Sequence, residues 1–589
     1  MSAPEGYKAE RSPNRAGAPP TRPAAPTFSP EDASSGLRRD LGRTALLFAG
    51  IGSIIGSGWL FGAFKAAGIA GPAAIVSWAI GAVMILLIGL TYAELGPMFP
   101  VSGGVARYPH YSFGSAASYI MGWITWLAAA SVAPVEVEAA LNYASNNVGG
   151  LAHLSAAAGG NPVLTFPLGY VVACLLMAFF VFVNFRGIRW FARLNNPIVA
   201  WKLLIISLVI VAFLVTRFRG ANFSAFGGFA PDGAHGIFSA IATAGIVFSF
   251  LGFRQAVELA GETKDPARNI PFAIAGAVLG TAVIYILLQV AFIGAAPVGG
   301  HGGLASVGWT KLSFANDFGP LAGIAQLIGL SWLATILYID AVVSPLDTGL
   351  IYTTVTARIS HAMSRNRNAP SVLERTAGEG APLAGLILAW IVGMIFFLPF
   401  PGWQKLIEFI TSATVLSFGT GPLVLMAMRR QMPELKRSFR LPGGHTVPLL
   451  AFFCANMIVY WAGWDTNWKL YLAIVLGLLL YGVNALFGRE RLPRLDLRSA
   501  LFIVPWLGGL CLVSYLGNYP DISEHAGNLA VFGTSGLALV WAALTILAIS
   551  VISYVLAIAL RLPRERVAQL IEAPGAPQRR GANGVTPQP

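Results

Sequence analysis

The chain reads as an all-α integral membrane protein built from two inverted five-helix repeats, with further helices after them. Three observations carry that reading. The 589 residues are 56% hydrophobic and only 11% charged, with a mean hydropathy of +0.67, where a soluble protein carries about 25% charged residues. Apolar runs long enough to span a bilayer follow one another along most of the chain. The first of them is interrupted by Gly50-Ile-Gly-Ser-Ile-Ile-Gly-Ser-Gly58, with four glycines and two serines.

The first 42 residues are rich in Pro, Ala and Arg and lack the apolar core of a signal peptide, so they read as a disordered cytoplasmic tail. The apolar runs centre on roughly 43–68, 72–97, 115–147, 163–184, 195–216, 237–260, 270–294, 320–352, 382–400, 404–428, 447–464, 469–487, 499–516 and 531–560, about fourteen in all. The first repeat is expected over 43–219 (five helices), the second over 220–430 (five more), and four additional helices over 431–562. Residues 563–589 read as a second disordered tail. Arg and Lys concentrate in alternate loops, including Arg186, Arg189, Arg193, Arg358, Arg365, Arg429, Arg430, Arg437 and Arg440. By the positive-inside rule both termini are then cytoplasmic.

Composition excludes several functions. The net charge of +13 is dispersed between apolar runs and does not form a nucleic-acid footprint. The three cysteines (Cys174, Cys454, Cys511) lie within apolar runs without ligand spacing, and the seven histidines form no i, i+4 pair. No metal site, resident cofactor or enzymatic constellation is indicated. The glycine run lacks both the dinucleotide-fingerprint spacing and a P-loop lysine.

Gly costs about 1 kcal/mol against Ala in a helix interior, and backbone freed within lipid must find partners or line a cavity. The break therefore reads either as a small-residue packing face or as an unwound segment. In the second case the amides of Ser57 and Gly58 would face an anion at a half-helix N-terminus. A weaker counterpart, Phe248-Ser-Phe-Leu-Gly-Phe-Arg254, interrupts the sixth run. The two breaks thus open successive sets of five helices, and five is odd, so the second set is inverted. Interrupted helices in matching positions of inverted halves point to a transporter's midplane site.

Charged residues in these runs are candidates for function. Arg254 either pairs with Glu258 at i+4 or receives an anionic side chain as a permanently charged fork. Lys202 either snorkels to the interface or cycles between charged and neutral forms. Glu136 and Asp340 are the most central acids; Glu138 and Asp347 accompany them, and Asp347 is expected near Lys202. Glu94, just before Pro97, reads as an interfacial anchor.

Several segments together resemble the amino acid–polyamine–organocation permeases. They are Gly52-Ser-Ile-Ile-Gly-Ser-Gly58, Tyr92-Ala-Glu-Leu-Gly96, Ser102-Gly-Gly104, Arg186-Gly187, Asn195-Asn196 with Lys202, Gly261-Glu-Thr-Lys-Asp-Pro266, Arg268-Asn-Ile-Pro271 and Ala357-Arg358. Trp59-Leu-Phe61, Arg107-Tyr-Pro109, Gly329 to Thr335, Asp340, Leu398-Pro-Phe-Pro401 and Tyr460 to Trp464 look like the bacterial aspartate:proton symporter subgroup. The resemblance implies a LeuT-like fold with alternating access in a bacterial inner membrane. It also implies proton symport of an amino acid; whether the chain acts as monomer or homodimer stays open. Carried over residue by residue, Gly56, Ser57 and Gly58 take the α-carboxylate, and the carbonyls around Phe248, Ser249 and Leu251 take the α-amino group. Lys202 stands where related symporters hold sodium, with Glu136 and Asp340 as further proton-coupling candidates; the proton is the coupling ion. At Arg254 many members carry Glu, and an Arg in the site suits an acidic substrate such as aspartate. Two rival readings are a polyamine or other amino-acid exchanger and a non-transporting amino-acid sensor.

Overall fold

The computed structural model describes residues 39–572 apart from 148, 152, 159–160, 297–307, 310–311, 313–318, 378–379, 398–402, 488–492, 494 and 518–535. Most of both expected tails, and the Leu398–Pro401 segment, lie outside the described residues.

The chain is helical almost throughout. The first apolar run forms α1 (Arg43–Ile54) and α2 (Ser57–Ala70), followed after a turn at Gly71 by α3 (Ala74–Met98) and the long α4 (Gly104–Asn147). A short antiparallel hairpin, β1 (Ser155–Ala158) with β2 (Asn161–Leu164), lies between α4 and α5 (Leu168–Phe185). Nothing in the apolar pattern announced that hairpin. The sixth helix, α6, spans Ile188–Arg217.

The expected second repeat opens with α7 (Gly233–Thr243), a 3-10 stretch over Phe248–Arg254 and the single turn α8 (Gln255–Glu258), the two halves bent by 48°. Next come α9 (Pro266–Ala295), α10 (Pro320–Leu327), α11 (Ser331–Arg365), α12 (Leu383–Phe396), α13 (Trp403–Phe418) and α14 (Thr420–Gln431). Beyond them lie α15 (Thr446–Trp461), α16 (Trp464–Phe487), α17 (Leu497–Ala500), α18 (Ile503–Leu516), α19 (Gly536–Ala559) and α20 (Arg564–Glu572).

Each of the expected apolar runs contains helix, but their number by length differs. Among the described residues ten segments are long and apolar enough to cross a membrane, or eleven if the bent pair is one span. Arg43–Ile54, Leu383–Phe396 and Thr446–Trp461 are shorter. The eighth run is divided at Gly329 (φ 83), which separates α10 from α11. A belt of exposed apolar side chains encircles the bundle. Leu175, Phe179 and Phe182 on α5 and Leu472, Leu476 and Leu479 on α16 recur at helical spacing, as lipid-facing surfaces do.

One end of the bundle carries the arginines of the basic loops, and buried ion pairs tie it together. Arg429 makes a two-pronged contact with Glu94 (Nε–Oε1 3.0 Å, Nη2–Oε2 2.5 Å), and Arg437 Nε lies 3.2 Å from Oε1 of the same carboxylate. The Leu441 amide donates to Glu94 as well, at 2.7 Å. Arg358 similarly grips Glu262 (2.6 and 3.1 Å), fastening α11 to the end of the second break. Glu94 is thus an anchor between α3 and the segment after α14. Removing one member of a buried ionic cluster costs about 3–5 kcal/mol, whereas exposed pairs are worth about 0–1. Glu94→Ala should therefore lower the thermal unfolding temperature in detergent by many degrees. Glu434→Ala, which frees only the exposed Arg564, should leave it nearly unchanged.

Candidate functional site

The two breaks face each other. Gly252 sits so close to α1 that an added Cβ would lie 2.6 Å from the Ile54 amide nitrogen. Gln255 Nε2 donates to Ser53 Oγ at 2.7 Å. One turn along, a Cβ on Gly58 would collide with the Ser249 hydroxyl and meet the Phe248 ring at 3.3 Å. The glycines at 58 and 252 therefore permit backbone approach, which a helix with side chains there could not make. The bend itself falls at Gly245 (φ 84), whose carbonyl accepts both the Ser249 amide (2.9 Å) and its hydroxyl (2.8 Å). The sequence pointed to Gly252 as the breaking residue; Gly252 instead serves close packing, and the positive φ lies seven residues earlier.

The first break releases backbone groups that the surrounding helices capture. Ile55 (φ −87, ψ 76) and Gly56 (φ −111, ψ −140) leave the helical region between α1 and α2. The freed Gly52 carbonyl accepts Lys202 Nζ at 2.9 Å and Thr348 Oγ1 at 2.9 Å, and the Ile54 carbonyl accepts the Tyr285 hydroxyl at 2.9 Å. On the other side, the Ser57 amide at the start of α2 donates to Glu136 Oε2 at 2.9 Å. The helix dipole reinforces that contact. A carboxylate thus already occupies the half-helix N-terminus, and it comes from the protein. The site is closed, since Ser57, Glu136, Lys202, Ser249 and Asp347 are all buried.

Lys202 reaches inward from α6 and meets Asp347 Oδ2 at 2.8 Å, the pairing that the helix directions suggested. Asp340 lies two turns away on α11 and is fully engaged, accepting from Trp201 Nε1 and Ser344 Oγ at 2.8 Å each. Thr348 and Tyr285 escaped the sequence reading because nothing distinguishes a threonine or tyrosine in an apolar run until its neighbours are known.

Arg254 occupies a separate station. Its Nη2 lies 3.4 Å from Glu258 Oε1 and 3.5 Å from the Thr125 carbonyl, and its guanidinium carbon stands 5.6 Å from the Phe418 ring centre. In this conformation the i, i+4 pairing is the arrangement present. Thr125 and Glu136 are eleven residues apart on α4, about 16 Å at 1.5 Å per residue, so Arg254 lies toward the basic end from the Ser57 amide. Tyr352 stands between, in electrostatic reach of Arg254, Glu258 and Glu136. Arg254 Nε and Nη1 are nonetheless buried without a hydrogen-bond partner among the described residues.

A cavity of about 850 Å³ opens elsewhere, between α4, α11, α12, α13 and α16, lined by residues such as Tyr119, Trp123, Met363, Phe396 and Trp468. It is almost wholly apolar and lies away from both breaks, so the chemistry belongs to the polar cluster and not to this larger space. Among the described residues no group of three or more His, Cys, Asp and Glu could hold a metal ion.

Comparison with known proteins agrees with this architecture. Residues 41–480 match the family described as "Amino acid permease". The chain is 37% identical over 523 residues to the glutamate/serine transporter AimA of Bacillus subtilis, covering 89% of this chain and 94% of that protein. It is 34% identical over 478 residues to the aspartate-proton symporter of the same organism (80% and 89%). To the branched-chain amino acid permease BcaP it is 27% identical over 454 residues (76% and 92%). With facing helix breaks at its centre and that breadth of similarity, the chain belongs to the amino acid permease family, a family of multi-pass membrane transporters and not of enzymes.

Proposed function

We propose that this permease imports an acidic amino acid, aspartate or a close analogue, by proton symport across a bacterial inner membrane, with its basic end cytoplasmic. The observation that carries the reading is the Glu136 carboxylate on the Ser57 amide: the half-helix N-terminus is a position where a carboxylate is held. The substrate's α-carboxylate takes that place at Gly56, Ser57 and Gly58 when Glu136 withdraws. The carbonyls around Phe248, Ser249 and Leu251 take the α-amino group.

Arg254 supplies the fixed positive charge that favours an acidic side chain and repels polyamines. It lies about 16 Å along α4 from the Ser57 amide, farther than one aspartate spans, so its unpartnered Nε and Nη1 meet a substrate carboxylate on the path toward the basic end and not while the α-carboxylate is on Ser57. The names of two relatives, one a glutamate/serine transporter and one an aspartate-proton symporter, support an acidic substrate. The proton-coupling region is Lys202 with Glu136, and Asp340 beside them on the far side of Ser344. Lys202 ties α6 to the first break through Gly52, so the charge balance around its ammonium bears directly on the broken helix.

Uptake into proteoliposomes across an amino-acid panel, with and without an inward proton gradient, tests the reading. Labelled aspartate should accumulate only with the gradient. Binding without accumulation points to the sensor, and competition by putrescine to a polyamine carrier. Lys202→Ala should abolish gradient-driven uptake, and normal acid stimulation in that variant would remove Lys202 from coupling. Arg254→Ala should weaken aspartate uptake at least about tenfold more than alanine uptake, roughly 1.4 kcal/mol of discrimination; equal losses would exclude Arg254 from the choice of acidic substrates. At Gly56 an added Cβ would lie 2.8 Å from both Glu136 Oε1 and Thr348 Oγ1. Gly56→Ala should therefore stop uptake, while Gly280→Ala, with open space around it, should not.

A further inference from the structure

The Lys202–Asp347 pair is lopsided. Lys202 has three polar contacts: Asp347 Oδ2 at 2.8 Å, the Gly52 carbonyl at 2.9 Å and Thr348 Oγ1 at 3.3 Å. Asp347 has Lys202 alone among the described residues, and its Oδ1 is buried with no hydrogen-bond partner. Both side chains are 0% exposed.

That asymmetry decides where a proton goes. Taking a proton from Lys202 would leave the buried Asp347 carboxylate with no positive charge beside it, a penalty of several kcal/mol. Adding a proton to Asp347 removes the charge of the group that has no second partner and leaves the ammonium its other contacts. The carboxyl becomes neutral, and the ammonium keeps the Gly52 carbonyl and the Thr348 hydroxyl. Two such groups titrate as one unit, and the unit changes its net charge most cheaply at the carboxyl.

The surroundings reinforce the choice. From α4 the titratable neighbour is Glu136, already held by the Ser57 amide. Along α11 itself, Asp340 is engaged by Trp201 and Ser344, and Tyr352 contacts Ser53. The segments α1 and α2 bring only backbone and Ser57 to this region. Glu258 of α8 is occupied with Arg254. The helices α5, α10 and α12 contain no Asp, Glu, His, Lys or Arg.

We propose that Asp347 carries the coupled proton and that Lys202 is its fixed counter-charge. This rests on the proton-symport reading and relocates the proton within the site. A proton arriving from outside binds Asp347 Oδ1 and is later released from it to the inside; no other bond changes. Protonation removes the ionic tie between α11 and α6 while Lys202 stays on Gly52. Of the contacts between α11 and the first break, the Thr348 hydroxyl on the Gly52 carbonyl then remains.

The test is uptake of labelled aspartate by the full-length wild type and Asp347→Asn in proteoliposomes, with counterflow exchange measured in parallel. Each pH unit across the membrane sustains up to about tenfold accumulation per proton carried. Wild type should show this; Asp347→Asn should fall to simple equilibration, with exchange still detectable. Wild type indifferent to the gradient overturns the symport reading and this inference with it. A driven wild type together with a driven Asp347→Asn overturns this inference alone, because Lys202 would then suffice. If Asp347→Asn neither folds nor exchanges, Asp347→Glu decides. A displaced pH midpoint of uptake supports the assignment, and a wild-type midpoint overturns it.

Discussion

A helix broken inside a bilayer must have every freed backbone group answered by protein, because hydrocarbon answers none. In this chain that constraint organises the centre. The gap between Ile54 and Ser57 frees carbonyls at Gly52 and Ile54 and the amide of Ser57. Four helices send one polar group each to meet them: Lys202 from α6, Thr348 from α11, Tyr285 from α9 and Glu136 from α4. The helices that crowd the break are therefore the ones that can sense its conformation.

The same constraint explains why charge is spread so unevenly in depth. At the centre, Glu136 rests on Ser57 and Asp347, among the described residues, on Lys202 alone, while Lys202 divides its contacts among Asp347, Gly52 and Thr348. At the basic end, Glu94 and Glu262 are each gripped by two-pronged arginine contacts. Pairs of that kind hold geometry firmly, whereas the sparser central contacts can be exchanged for a substrate's groups. Arg254 belongs to neither class: it is buried, loosely paired and partly unsatisfied, a combination that is costly unless something uses it.

Much of this was legible in the residues. The Gly-Ser concentration at 50–58 marked the first break, because each glycine weakens a helix and four together are hard to explain by packing alone. The basic loops marked one end of the molecule, and opposing helix directions brought Asp347 toward Lys202. The second break was harder to read. Gly252 drew attention as the one glycine beside Arg254, yet Gly245 bends the chain, and sequence does not distinguish a glycine needed for positive φ from one needed for contact. The hairpin at 155–164 was also invisible, since short strands of alanine, asparagine and proline carry no period-two signal.

From the sequence alone came the membrane class, the broken helices, the polarity of the ends and the small set of buried charges. Those follow from local composition and from the price of polar groups in lipid. Only the tertiary structure decided which charge meets which partner. It put Glu136 on the Ser57 amide, left Asp347 with Lys202 alone, and held Arg254 about 16 Å along α4 from that amide. Pairings between residues 79 or more positions apart depend on helix crossing and rotation, which a one-dimensional pattern does not contain.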